Sequence, residues 1–198
     1  MGMEQQRGMN LAGATLGWPM VPGVLALAAS STPVWDGRFA ITFVLVLAGL
    51  FIYSLYNVIT KKYKTEFHRI LHEVVMLYVS SAFMLVAVWR TFGQSLWLGS
   101  FLLILVIGTT VLSFKHRQYL SKAIRNPKQY PLIGKIYKAV LIISAVLGPA
   151  SYGISVALDS YFEADTMLII FAAMLIPFAY LFIVLSFPAV AVIKPQKS

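Results

Sequence analysis

The chain has 198 residues, of which 59% are hydrophobic and 12% are charged, and its formal net charge is +9. Soluble domains average about half apolar and about a quarter charged residues, so a water-soluble fold is not expected, because it would have nowhere to bury this apolar surface. The chain contains no cysteine, which excludes disulfides, thiolate metal sites and cysteine nucleophiles.

Long apolar runs without charge dominate the sequence. A helix that crosses a bilayer needs about 20 mostly apolar residues, because the hydrocarbon core is about 30 Å thick and each helical residue adds about 1.5 Å. We therefore predict an all-α integral membrane protein, a polytopic bundle of six or five transmembrane helices that forms a single domain over residues 1–198. The predicted spans are 11–30, 39–59, 71–90, 95–114, 139–158 and 166–190.

The first predicted span is a poor continuous helix, because glycine and proline weaken helices. Three interpretations are open: a kinked or broken span, a re-entrant segment, or a cleaved signal peptide, since Ala26-Leu27-Ala28 resembles a small-residue cleavage site. If the segment spans, six helices place both termini inside the cell; if it is cleaved, five helices remain. The interrupting residues are Gly13, Gly17, Pro19, Pro22 and Gly23.

Gly13 and Gly17 also match the Gly-x-x-x-Gly spacing that lets two helices approach closely. Such a contact is equally compatible with packing inside the chain and with packing against a partner. We therefore expect a helix contact at these glycines and leave the identity of the second helix open.

The span 71–90 is bounded by charge at both ends. Its apolar part lies between Glu73 and Arg90, and we expect Arg90 to extend its guanidinium toward the headgroups. No Asp, Glu, Lys, Arg or His lies at the middle of any predicted span. Proton-coupled transporters commonly depend on such a group, so an ion-driven transporter is disfavoured.

The basic residues indicate the orientation. All of them except Arg7, Arg38 and Arg90 lie in the connection after the span 39–59, in the loop 115–138 or in the C-terminal tail. Lysine and arginine are retained on the cytoplasmic side, so we predict that this side faces the cytoplasm, in a prokaryotic cytoplasmic membrane.

The basic cytoplasmic loop 115–138 contains no acidic residue. It could bind anionic lipid headgroups or an acidic cytosolic protein, although topology alone would need the same charges. A nucleic-acid partner is not expected, because no aromatic platform or folded basic module accompanies the charges.

Three histidines form the first candidate site. His68 and His72 share one helical face at the cytoplasmic end of their span, and His116 follows the cytoplasmic end of the next, antiparallel span. One interpretation is a haem held by histidines of both helices, or a metal bound by imidazoles with Glu66 or Glu73 in support. The simpler interpretation is that they are polar residues of the interface, and we predict neither a cofactor nor a metal.

Prolines inside two spans form the second candidate site. A proline frees a backbone carbonyl, so two kinked helices can frame a pocket. Kinks that neighbouring side chains satisfy are the simpler alternative. The residues concerned are Pro149, Ser151, Tyr152 and Gly153 in the span 139–158 and Pro177 in the span 166–190.

The functional prediction follows from what the chain lacks. Its sequence matches no nucleophile or phosphate-binding motif, which favours a non-enzymatic role. We predict a multi-pass membrane protein that acts by interaction: a small subunit, immunity protein or sensor component that binds lipid, a membrane or cytosolic protein, or a second copy of itself. The alternatives are a passive channel or small-solute transporter lined by proline-kinked helices, and a haem-binding membrane redox protein.

Overall fold

The computed structural model describes residues 3–31, 33–125, 135 and 175–187. All regular structure in these residues is helical, so the prediction of an all-helical chain is confirmed for this part of the protein. A short 3-10 helix, Lys62–Lys64, connects the third and fourth α-helices. The α-helices are α1 (Met3–Gly17), α2 (Met20–Ser31), α3 (Gly37–Ile59), α4 (Glu66–Thr91), α5 (Leu96–Lys115), α6 (Arg117–Arg125) and α7 (Leu175–Phe187).

Four helical segments are long and apolar enough to cross a membrane, and they correspond to the first four predicted spans. The predicted span 139–158 lies outside the described residues, as does much of 166–190. The four segments are Asn10–Ser31, Gly37–Ile59, Glu66–Thr91 and Leu96–Lys115.

The first of these segments is broken near its middle. The Trp18 N–H donates to the Ala14 carbonyl at 3.0 Å, after which Pro19 has no N–H to continue the ladder. The α1 helix therefore ends at Gly17, and α2 begins at Met20. Among the forms predicted for this segment, the structure contains the broken helix.

The α3 and α4 helices run antiparallel, and two contacts define their register. The rings of Phe43 and Phe83 lie 4.7 Å apart between centroids, and Ser54 Oγ lies 2.8 Å from His72 Nε2. The residue numbers of each pair add up to the same value, as an antiparallel register requires. Ala26 and Ala29 of α2 pack against this pair of helices, where their small side chains let α2 approach closely.

The α4 helix is the centre of the bundle. Its buried residues recur at helical spacing, for example Met76, Ser80, Met84 and Val88, and it is the most buried of the four long helices. By contrast, α3 and α5 keep most of their large apolar side chains exposed. Apolar residues around the whole circumference are typical of helices that face lipid.

Arg90 is buried at the end of the bundle opposite the lysine-rich connections. Only 4% of its surface is exposed. Its Nη1 donates to the carbonyls of Ala29 and Ser30, and its Nη2 donates to that of Val34 at 2.8 Å. Its guanidinium carbon also lies 4.5 Å from the centroid of the Phe39 ring.

The carbonyls at the end of α2 explain why Arg90 turns inward. The last carbonyls of a helix have no intrahelical donor and carry the negative end of the helix dipole, so a cation stabilises them. The expectation that Arg90 extends toward the headgroups is therefore wrong. Its guanidinium group instead joins the end of α2 to α4 through hydrogen bonds.

We predict that Arg90→Met destabilises the protein, because the end of α2 loses its charged donor while the apolar stem is kept. Hydrogen bonds to charged groups contribute about 1.5–3 kcal/mol each, so the thermal unfolding midpoint in detergent should fall by several degrees. Arg38→Met, at an exposed position of the same end, is the control and should melt close to the wild type. Equal midpoints for Arg90→Met and the wild type would contradict this role.

Candidate functional site

A buried hydrogen-bonded pair lies between α3 and α4, in the halves of these helices near the lysine-rich connection. The Ser54 hydroxyl donates to the Leu50 carbonyl at 2.9 Å. A hydroxyl carries one hydrogen, so the 2.8 Å contact with His72 is a bond in which the imidazole Nε2–H donates to Ser54 Oγ. His72 is 3% exposed and stacks on Tyr53 with 5.5 Å between ring centroids.

Two polar groups in the same region have no partner. The antiparallel register brings Asn57 of α3 to the level of His68 on α4. Asn57 is 2% exposed, and neither its Oδ1 nor its Nδ2 makes a hydrogen bond. His68 Nδ1 is also buried without a partner. Because an unpaired polar atom in apolar surroundings is costly, Asn57 is a weak point of the α3–α4 contact.

The three histidines have different surroundings in the structure. His72 is buried between α3 and α4, whereas the exposed His116 ends α5, its backbone N–H donating to the Leu112 carbonyl at 3.0 Å. Across the part of the chain that the structure describes, no three His, Asp or Glu side chains are arranged to hold a metal ion. The haem hypothesis stays a prediction without support from this geometry.

The α6 helix begins at the lysine-rich end, one residue after α5. Arg117 folds back onto α5: its Nη1 donates to the Phe114 carbonyl at 3.2 Å, and its guanidinium carbon lies 4.2 Å from the centroid of the Phe114 ring. Ala123 is buried and Lys122 is exposed, so Lys122 lies on the side of α6 that faces away from the protein.

The connection between α3 and α4 adds charge at the same end. Lys61 and Lys64 are exposed. Lys62 instead donates to the Tyr56 hydroxyl at 2.7 Å and lies 4.6 Å from the centroid of that ring. Together with α6, these residues form a basic surface, which we call the basic end.

The glycine pair predicted for helix packing is open in this structure. A Cβ atom added at Gly13 or at Gly17 would meet no other atom within 4 Å. The described helices therefore do not use either glycine for a close approach. A contact between this pair and a partner helix stays a prediction.

Most of the predicted proline pocket falls on residues that are not described. Pro177 lies near the start of the described part of α7 and is exposed. It lines neither of the two apolar cavities that lie between the described helices. The residues Pro149, Ser151, Tyr152 and Gly153 lie outside the described residues.

The first cavity is an apolar groove between α4, α5 and α7, with a volume of about 290 Å³. This groove cannot be predicted from the sequence, because the polar residues that border it occur singly in apolar spans and their partners are distant in sequence. We call it the α4–α5 groove. It is lined by Tyr78, Ser81, Ala82, Leu85, Val86, Trp89, Gly99, Leu102, Leu103, Val106 and Ile183.

The second cavity lies where the broken first segment meets α3, and its volume is about 500 Å³. The helix break accounts for it, because α1 and α2 cannot pack along α3 as one straight rod. All but a small part of its lining surface is apolar. The lining residues are Leu16, Pro19, Met20, Gly23, Val44, Leu47, Ala48 and Phe51.

No protein-family model, curated protein or solved structure matches this chain. No relative's ligand or activity can therefore be transferred to it. The function has to be inferred from the chain's own residues and their geometry.

We predict opposite effects for two substitutions in the α3–α4 contact. Ser54→Ala removes the acceptor of the His72 N–H and should cost about 1–3 kcal/mol, the penalty of an unsatisfied buried group. Asn57→Leu replaces two unpartnered polar atoms by an apolar side chain of similar volume and should leave stability unchanged or raise it. Thermal unfolding of both variants in one detergent measures the difference. A loss in Asn57→Leu as large as that in Ser54→Ala would show that Asn57 has a partner.

Proposed function

We propose that this chain is a multi-pass protein of a prokaryotic cytoplasmic membrane that acts by interaction, and that its partner at the basic end is anionic lipid. In this proposal six helices cross the membrane. Both termini and the basic end face the cytoplasm.

The order of the described helices supports this orientation. The α3–α4 and α4–α5 pairs are antiparallel. A 3.0 Å hydrogen bond between Tyr78 and Thr110 joins α4 to α5. Lys64 and Lys115 consequently lie at one end of the bundle, and Arg38 and Arg90 lie at the other. Such an asymmetry of lysine and arginine is the ordinary determinant of membrane orientation.

The direction of α7 supports a cytoplasmic C-terminus. Ala179 accepts a hydrogen bond from Ser81 near the middle of α4. Phe187, at the other end of α7, contacts the rings of Tyr78 and Phe114 at centroid distances of 6.1 and 6.2 Å. The helix therefore runs from the middle of the bundle toward the basic end.

The observation that carries the lipid assignment is the geometry of α6. Arg117 holds the start of the helix against α5, and the buried Ala123 holds its apolar side against the protein. Lys115 and Lys122 are thereby left exposed beside the end of an apolar helix. A lysine at this position lies at the level of lipid headgroups, where each basic residue contributes about 1 kcal/mol of attraction to an anionic surface.

An anionic lipid fits this surface better than an acidic protein does. The charges border an apolar helix, so they lie at the boundary between hydrocarbon and water, where phosphate groups are already concentrated. No acidic residue between Lys115 and Arg125 competes for them. Arg117, which is engaged with Phe114, serves to position the helix.

We predict that replacing Lys115 and Lys122 together by glutamine weakens the binding of phosphatidylglycerol by more than about tenfold, because two headgroup-level charges are lost. Native mass spectrometry of protein purified in mild detergent with phosphatidylglycerol or phosphatidylcholine measures the retained lipid. The control is Arg38→Gln, which removes an exposed charge at the opposite end of the bundle and should leave the retention of phosphatidylglycerol at the wild-type level. Equal retention of both lipids by the wild type would contradict the proposal.

We also predict the orientation of the protein in the membrane. Reporter fusions after Lys64 and Lys122 should be cytoplasmic, and a fusion after Gln94, in the turn between α4 and α5, should be external. Alkaline phosphatase, which is active only outside, and green fluorescent protein, which is fluorescent inside, give opposite readouts at each point. Phosphatase activity after Lys64 or Lys122 would overturn the orientation.

A further inference from the structure

The polar side chains among the described lining residues of the α4–α5 groove are all hydrogen-bonded. Tyr78 shares its 3.0 Å hydrogen bond with Thr110, and Trp89 Nε1 donates to the Ser95 carbonyl at 2.9 Å. The third polar lining residue, Ser81, donates to a carbonyl of α7 at 2.9 Å. None of the described lining residues is charged. This lining offers an occupant neither a free side-chain hydrogen-bond partner nor a counter-ion, so it suits hydrocarbon.

The α7 helix borders the groove through Ile183. Ser81 donates to the Ala179 carbonyl, and the Tyr180 hydroxyl donates to the Leu102 carbonyl at 3.1 Å. These two bonds tie α7 to α4 and to α5 separately. The side away from α7 is open beside Ala82 and Leu103, both of which are exposed.

Two internal contacts lie near the ends of the groove. The bond between Tyr78, a lining residue, and Thr110 lies toward the basic end. At the other end Gly99 touches the indole of Trp89 so closely that an added Cβ would lie 3.0 Å from Nε1. The distance from Tyr78 to Trp89 along α4 is about 16 Å, at about 1.5 Å per residue. A volume of about 290 Å³ over this length makes a narrow slot.

The position of the slot along the helices points to one leaflet. Its lining residues on α5, from Gly99 to Val106, belong to the half of that helix that is farther from the basic end. Trp97, just beyond the end of the groove at Gly99, is 88% exposed. A tryptophan at this place suits the headgroup layer, so the slot extends from that layer into the hydrocarbon.

We propose that the α4–α5 groove is a fixed site for one hydrocarbon chain of an outer-leaflet lipid, whose headgroup lies near Trp97. The inference rests on the proposed membrane insertion and is independent of lipid binding at the basic end. An empty slot would deprive its lining atoms of dispersion contacts. At this depth the molecules that border the exposed faces of α4 and α5 are acyl chains, which have the shape and the neutrality that the lining requires.

The test uses the full chain in nanodiscs of phosphatidylcholine that contain a small fraction of phosphatidylcholine with a photoactivatable diazirine in one acyl chain. After irradiation, peptide mass spectrometry locates the adducts. We expect adducts to be several-fold more frequent on the groove residues of α4 and α5 than on the exposed apolar face of α3.

Three variants make the test specific. Gly99→Leu fills the slot at the end near Trp97, and Ala82→Phe fills it from the open side, where no internal contact is disturbed. Gly108→Leu adds the same leucine to α5 at a position where a Cβ would meet nothing within 4 Å, and it is the control. Groove adducts should fall several-fold in the first two variants and stay at the wild-type level in the third, with thermal unfolding midpoints reported for all.

The other outcomes overturn the proposal in distinguishable ways. Adducts spread evenly over α3, α4 and α5, or unchanged in Ala82→Phe, would mean that the protein is inserted but the groove holds no particular chain. Adducts that are absent from the groove residues but present on the exposed face of α3 would mean that protein, and not lipid, fills the groove. A chain that stays dissolved without detergent and acquires no adducts would remove the membrane insertion itself.

Discussion

A polar atom enclosed by apolar helices has no water to bind, so it is costly unless it finds a partner inside the protein. Several contacts between the described helices meet this constraint, whereas Asn57 does not. Arg90 is held by three carbonyls at and after the end of α2, and His72 is held by Ser54. Ser81 and Tyr180 bind backbone carbonyls of neighbouring helices. Each bond joins two different elements, so satisfying the polar atoms and assembling the bundle are one process.

The same constraint separates the two proposed interaction surfaces. At the basic end Lys115 and Lys122 are left exposed, where they can meet charged headgroups. In the α4–α5 groove the polar side chains of the described lining residues are already hydrogen-bonded, which is why the proposed occupant is hydrocarbon. A lipid-binding protein of this design would recognise headgroup charge in one leaflet and a single chain in the other. This division is compatible with a subunit or sensor that responds to the composition of its bilayer.

The direction of the side chains at the candidate sites could not be predicted from residue spacing. The spacing of His68 and His72 correctly placed them at the lysine-rich end of one helix, but spacing cannot show that His72 turns toward Ser54 while His116 faces away from the protein. Asn57 gave no signal as one polar residue in an apolar run, and its burial depends on the register of α3 against α4. The direction of a side chain across a helix interface depends on the neighbouring helix, which local periodicity does not describe.

Composition and charge order by themselves determined that the chain is helical, that four of its described segments are long and apolar enough to span a membrane, and that one end of the bundle is basic. Helix length, hydropathy and charge are properties of one continuous segment of chain, so they do not depend on which helices pack beside it. Only the tertiary structure decided that Arg90 turns inward to α2 and that a groove opens between α4 and α5. Those outcomes depend on hydrogen bonds and packing between residues far apart in sequence, and such pairs form only once the helices have been brought together.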